Sequence, residues 1–69
     1  MYFTTTLGGV ERTFEITPKQ LEAANMALKD YPDSKPGLAI AAVRYTLPTL
    51  TLVEAAAIVQ CARSLRSPD

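Results

Sequence analysis

Few side chains in this sequence can do acid–base, nucleophilic or metal chemistry. Histidine, the usual general base and a common metal ligand, is absent. The single cysteine, Cys61, lies within AIVQCARS among small, apolar neighbours. A reactive thiol needs an electropositive, accessible setting, so packing is its expected role. Glu11 and Glu15 share one face at strand spacing and read as a solvated pair rather than an acid and a base. Gly8-Gly9 is followed by no helix start within reach, which makes it a turn rather than a phosphate cradle. The sequence therefore predicts no catalytic residue, no metal site and no cofactor, and a chain that is not an enzyme.

Aromatic residues beside arginine are the usual anchors of protein interfaces. Tyr31, Arg44, Tyr45 and Leu47 are the candidate partner-binding residues, and Tyr2 can add to them from the N-terminal segment. The competing role for each tyrosine is half-buried core with a polar tip in water.

These residues must be positioned by one small domain spanning residues 1–69. A chain of this length buries only about 60% of the surface its unfolded form exposes, so it needs a disulfide, a metal, regular helix packing or oligomerisation. One cysteine and no histidine leave the last two. Lysine plus arginine is 7, aspartate plus glutamate is 7, and the net charge is zero. A nucleic-acid domain normally carries a clustered positive excess, so no direct nucleic-acid binding is expected. The longest apolar run, Leu38 to Val43, falls far short of the roughly 20 residues of a membrane span. MYFTTTLGGVER lacks the basic start and apolar stretch of a secretory signal. The expected location is the cytoplasm, with a reduced thiol.

Residues 2–16 read as a β-hairpin. YFTTTL and VERTFEI carry the threonine and aromatic content of strands around a glycine pair suited to a tight turn. A two-residue loop pairs Leu7 with Val10, Thr5 with Arg12, Phe3 with Phe14 and Met1 with Ile16 on one face. It sets Thr6 with Glu11, Thr4 with Thr13 and Tyr2 with Glu15 on the other. Apolar and polar faces then separate except at Arg12, whose aliphatic stem can cover the core edge. A lone ribbon is marginal in water, so a helix or a second copy must cover its apolar face.

Three helices follow. The first, over 18–31, starts with Thr17 as N-cap, Pro18 in the first helical position and Gln20 completing a capping box, with Ile16 and Leu21 as a hydrophobic staple. Its apolar stripe is Leu21, Ala24, Leu28 and Tyr31, and Pro32 ends it. The second, over 34–47, is capped by Asp33 or Ser34 and stopped by Pro48. It is apolar on nearly every side, so more than one of its faces is expected to be covered, one of them by another protein. The third, over 51–65, opens with a Thr51–Glu54 capping box and a Leu50–Ala55 staple. Its stripe is Ala55, Ile58, Val59, Ala62 and Leu65, and Arg63 and Arg66 complement the dipole of its last turn. The fold class is α+β and mostly α, a β-hairpin followed by three helices. A homodimer is expected to form through the apolar second helix or the small-residue third.

TLTLVEAAAIVQCARS resembles the scaffold helix and turn of helix-turn-helix proteins, which implies a small DNA-binding regulator. In that family a second helix enters the major groove, and LRSPD offers none. PGLAIAAVRYTLPTLTLVEAAAIVQCA is similar to the helix, loop and helix of the ribosomal stalk protein's C-terminal domain, with Ile40, Val43, Arg44, Leu50, Leu52, Glu54, Ala55 and Val59 at matching positions. The family's lysines are mostly replaced by alanine and threonine. In length and organisation the whole chain resembles the accessory proteins that bacteriophages make to disable host proteins, in particular anti-activators of quorum sensing that bind a LuxR-type transcription activator. That resemblance implies a homodimeric inhibitor in the host cell cytoplasm that blocks the activator's DNA binding sterically. An inhibitor of a CRISPR effector is the alternative phage role, although it favours an acidic surface that this neutral chain lacks.

Overall fold

The computed structural model describes residues 1–31 and 35–66. An antiparallel hairpin, β1 (Tyr2–Leu7) and β2 (Val10–Glu15), is followed by α1 (Pro18–Asp30), α2 (Pro36–Thr46) and α3 (Leu52–Arg66). The fold is the hairpin and three helices that the sequence predicts.

Gly8 and Gly9 adopt φ angles of 61° and 82°. Two consecutive positive φ values make the primed turn whose twist matches that of the strands. The register is Leu7 with Val10, Thr5 with Arg12 and Phe3 with Phe14. Beyond the strands, the Met1 ammonium donates to the Ile16 carbonyl at 3.0 Å, and the Ile16 amide donates to the Met1 carbonyl at 2.7 Å. Phe3 and Phe14 pack against the helical core. The turn end projects past it, leaving Val10 58% exposed. Arg12 is exposed, and its guanidinium stands over the Phe14 ring, 5.2 Å from the centroid.

Both capping boxes form. The Gln20 amide donates to Thr17 Oγ1 at 3.2 Å, and the Thr17 amide donates to Gln20 Oε1 at 3.0 Å. At α3 the Glu54 amide donates to Thr51 Oγ1 at 3.1 Å, and the Thr51 amide to Glu54 Oε1 at 2.9 Å. Asp33 and Ser34, the expected caps of α2, lie outside the described residues. The helix starts at Pro36 with Lys35 as its N-cap and no side-chain cap hydrogen bond, later than the expected 34. Two helices end one residue earlier than expected. Tyr31 and Leu47 are C-caps with φ of −126°, because a following proline drives each out of the helical region.

The core lies where α1, α2 and α3 meet, closed on one side by Ile16 and Phe3. Ala24, Ala27 and Leu28 come from α1, Ala39 and Val43 from α2, and Ala55, Ile58, Val59, Cys61 and Ala62 from α3. α3 packs against α1, α2 and β1, so its burial is wider than one stripe and includes Ala57 and Cys61, both 0% exposed. Its small side chains let neighbouring backbones approach closely. Leu65, expected in the buried stripe, is 60% exposed near the helix end, beyond the body of the core.

Candidate interaction surface

α2 presents its open side to water. Ala39 and Val43 are fully buried, and Ile40, Ala42 and Leu47 pack against the core. Leu38, Ala41 and Tyr45, at i, i+3 and i+7, lie on the opposite flank. Leu38 is 44% exposed and Tyr45 88%. Arg44 is exposed beside Tyr45. Of the two helices expected to dimerise, α2 keeps an apolar flank open along its length, whereas the small residues of α3 are packed inside their own chain and its exposed apolar side chains, Leu52, Val53 and Leu65, lie at its two ends.

The candidate anchors divide accordingly. Arg44 and Tyr45 stand together on the α2 flank. Leu47 follows them in sequence but turns inward against the core, where it is half-buried. Tyr31 closes α1, at the margin of exposure. Tyr2 is 73% exposed on the outer face of the hairpin, across from Glu15. Leu38 and Ala41 were missed as surface residues. Their helical spacing to Tyr45 was visible in the sequence, but an all-apolar helix does not show which of its sides the core takes.

Two of the surface grooves are roomy enough to bear on chemistry. One, of about 470 Å³, runs along α1 between Pro18, Leu21, Glu22, Asn25, Met26 and Lys29. It is an apolar cleft, with Met26 62% exposed. The other, of about 290 Å³, is lined by Thr13, Phe14, Glu15, Ile16, Gln20, Glu54 and Ile58. Its polar atoms are partly committed to the fold, since Gln20 Oε1 and Glu54 Oε1 each accept a capping amide. Glu11 and Glu15 lie on the solvent side of β2. Cys61 is fully buried. Burial pushes its thiol above its ordinary pKa, against a smaller opposite pull from the N-terminal ammonium. The thiol therefore stays protonated at neutral pH and is out of reach of a substrate.

What the surface offers is an exposed patch with one aromatic ring, one guanidinium and two aliphatic side chains. Such a patch can fill a partner's pocket and form a charge-assisted hydrogen bond beside it. No helix among the described residues is long and apolar enough to cross a membrane. Compared with known proteins, the chain matches no family model, no curated protein and no solved structure.

Proposed function

We propose that this chain is a non-enzymatic, protein-binding inhibitor, encoded by a bacteriophage, that acts as a homodimer in the host cytoplasm. It docks on a host bacterial protein, a transcription activator of the LuxR type, and blocks DNA binding by occupying the surface that faces the operator. The observation that carries this reading is the α2 flank, where Tyr45 is 88% exposed beside an exposed Arg44. A chain short of buried area gains nothing for its own stability by holding a tyrosine in water, and exposed aromatic–arginine pairs suit a partner's surface. The balanced charge, 7 cations against 7 anions, supports a protein partner over a nucleic acid.

The test is competition. An operator duplex bound to a purified LuxR-type activator is titrated with the chain, and the duplex alone is titrated in parallel at low salt, where electrostatic binding is strongest. Release of the duplex from the activator, with no binding to the duplex itself, is the expected result. Direct duplex binding overturns the reading in favour of a small DNA-binding regulator. Failure to release any operator, or to bind any activator, removes the anti-activator role.

A further inference from the structure

The hairpin is a sheet of two strands, so its two outer edges end on backbone groups that bond to no further strand among the described residues. Met1 and Ile16 exchange both of their backbone hydrogen bonds, at 3.0 and 2.7 Å. Bonded and non-bonded pairs alternate along an antiparallel ladder. Phe3 with Phe14, Thr5 with Arg12, and Leu7 with Val10 are therefore the other bonded pairs, and the N–H and C=O groups of Tyr2, Thr4 and Thr6 point away from β2. On β2 the outward groups belong to Glu11, Thr13 and Glu15.

The two edges differ in charge. β2 carries Glu11, Arg12 and Glu15, whereas β1, YFTTTL, has no charged residue, no proline and no interruption of its register. Natural proteins blunt a free edge with charges, prolines or bulges. β2 is blunted in that way and β1 is not, and Tyr2, Thr4 and Thr6 are all exposed.

We propose that the β1 edge is a self-pairing interface whose occupant is β1 of a second copy, antiparallel about a two-fold axis at Thr4. Thr4 then faces Thr4 of the second copy and Tyr2 faces its Thr6, so every outward-pointing residue of both strands enters the ladder. Phe3 faces Thr5 and Met1 faces Leu7 in the non-bonded positions, on the side that α3 already covers. No charged side chain is placed at this junction, and the Met1 ammonium at each end stays on the Ile16 carbonyl of its own hairpin, which is the charge match that selects a second β1. The β2 edge offers no equivalent, because its two registers of fullest overlap oppose Arg12 to Arg12 or Glu11 to Glu15, and like charges directly opposite destabilise a pair. The result is a four-stranded sheet in the order β2, β1, β1, β2, which uses none of the α2 flank. This rests on the dimer in the functional reading and names its interface.

The experiment combines sedimentation of the unmodified chain with oxidative cross-linking in a Cys61→Ala background. Bonded antiparallel residues lie about 5.5 Å apart at Cα, within the 4.4–6.8 Å range a disulfide spans. Thr4→Cys is expected to cross-link into a covalent dimer, while Thr13→Cys and Tyr45→Cys stay monomeric on a non-reducing gel. Thr4→Lys is expected to sediment as a monomer with an unchanged circular dichroism spectrum. A dimer that cross-links at Thr13 or Tyr45 and not at Thr4, or equally at all three, overturns the β1 interface but leaves the dimer standing. A monomer at the highest soluble concentration overturns both, and leaves binding through α2 to be judged by operator release alone. Should Thr4→Lys fail to fold, the cysteine variants decide the matter.

Discussion

The hydroxyl of Thr5 donates to Gln60 Oε1 at 2.6 Å, across 55 residues of sequence. This contact fastens the inner face of β1 to α3 at a partly buried position. Hairpins of two strands are marginal alone, so the polar clamp and the packing of Phe3 and Phe14 on the core share the task of holding this one down. Gln60→Leu strands the Thr5 hydroxyl and is expected to cost about 1 kcal/mol, lowering Tm by about 4–8 °C in a domain of this size. Thr5→Val combined with Gln60→Leu is expected to cost less than the two single changes added together, because no polar group is left unpaired. Thermal melts of the four proteins check this, and strict additivity would contradict it.

The N-caps are the second set of expectations. Thr17→Ala and Thr51→Ala each leave a first-turn amide without its side-chain acceptor, at a cost of about 1 kcal/mol apiece. Asparagine, an equally good cap, is expected to restore most of the loss at either position. Urea unfolding midpoints at constant slope read the difference. Equal losses for alanine and asparagine would show that something other than the cap is being measured.

Much of this fold was legible because local signals agreed. The Gly8-Gly9 pair fixed a two-residue turn, and the alternation of YFTTTL and VERTFEI fixed the register around it. Thr17-Gln20 and Thr51-Glu54 marked two helix starts by a hydrogen-bonding rule that needs no tertiary information. Burial was read less well. One periodic stripe describes a helix that packs on one side, but α3 packs against three neighbours, so Ala57 and Cys61 are buried and the terminal Leu65 is not. Arg12 and Val10 sit on the nominally apolar face of the hairpin, yet both are exposed. On the candidate surface, Arg44 and Tyr45 were chosen by residue type and do share a flank, whereas Leu47 was chosen on the same ground and turns inward. Which side of an apolar helix faces water depends on where α1 and α3 lie, which composition does not encode.

Cys61 carries a pH expectation. Burial raises its folded-state pKa above the unfolded value, so the folded chain keeps the thiol proton to higher pH. Its contribution to stability is then fully present below the unfolded value of about 8.5 and is lost as pH rises through the folded value. Cys61→Ala is expected to flatten the decline in stability above about pH 8.5, measured by urea unfolding at several pH values. An unchanged slope would contradict the assignment. In the native chain at neutral pH, the thiol is also expected to resist a disulfide reagent that labels the unfolded chain at once.

The most direct test of the account is the affinity of the chain for a purified LuxR-type activator, measured for the native sequence and for Tyr45→Ala, with Met26→Ala on α1 as an exposed apolar control. Tyr45→Ala is predicted to weaken binding by about 30-fold, the factor for a hot spot of about 2 kcal/mol, with an unchanged melting curve, while Met26→Ala binds as the native chain does. Equal affinity for all three proteins would contradict the assignment of α2 as the docking surface.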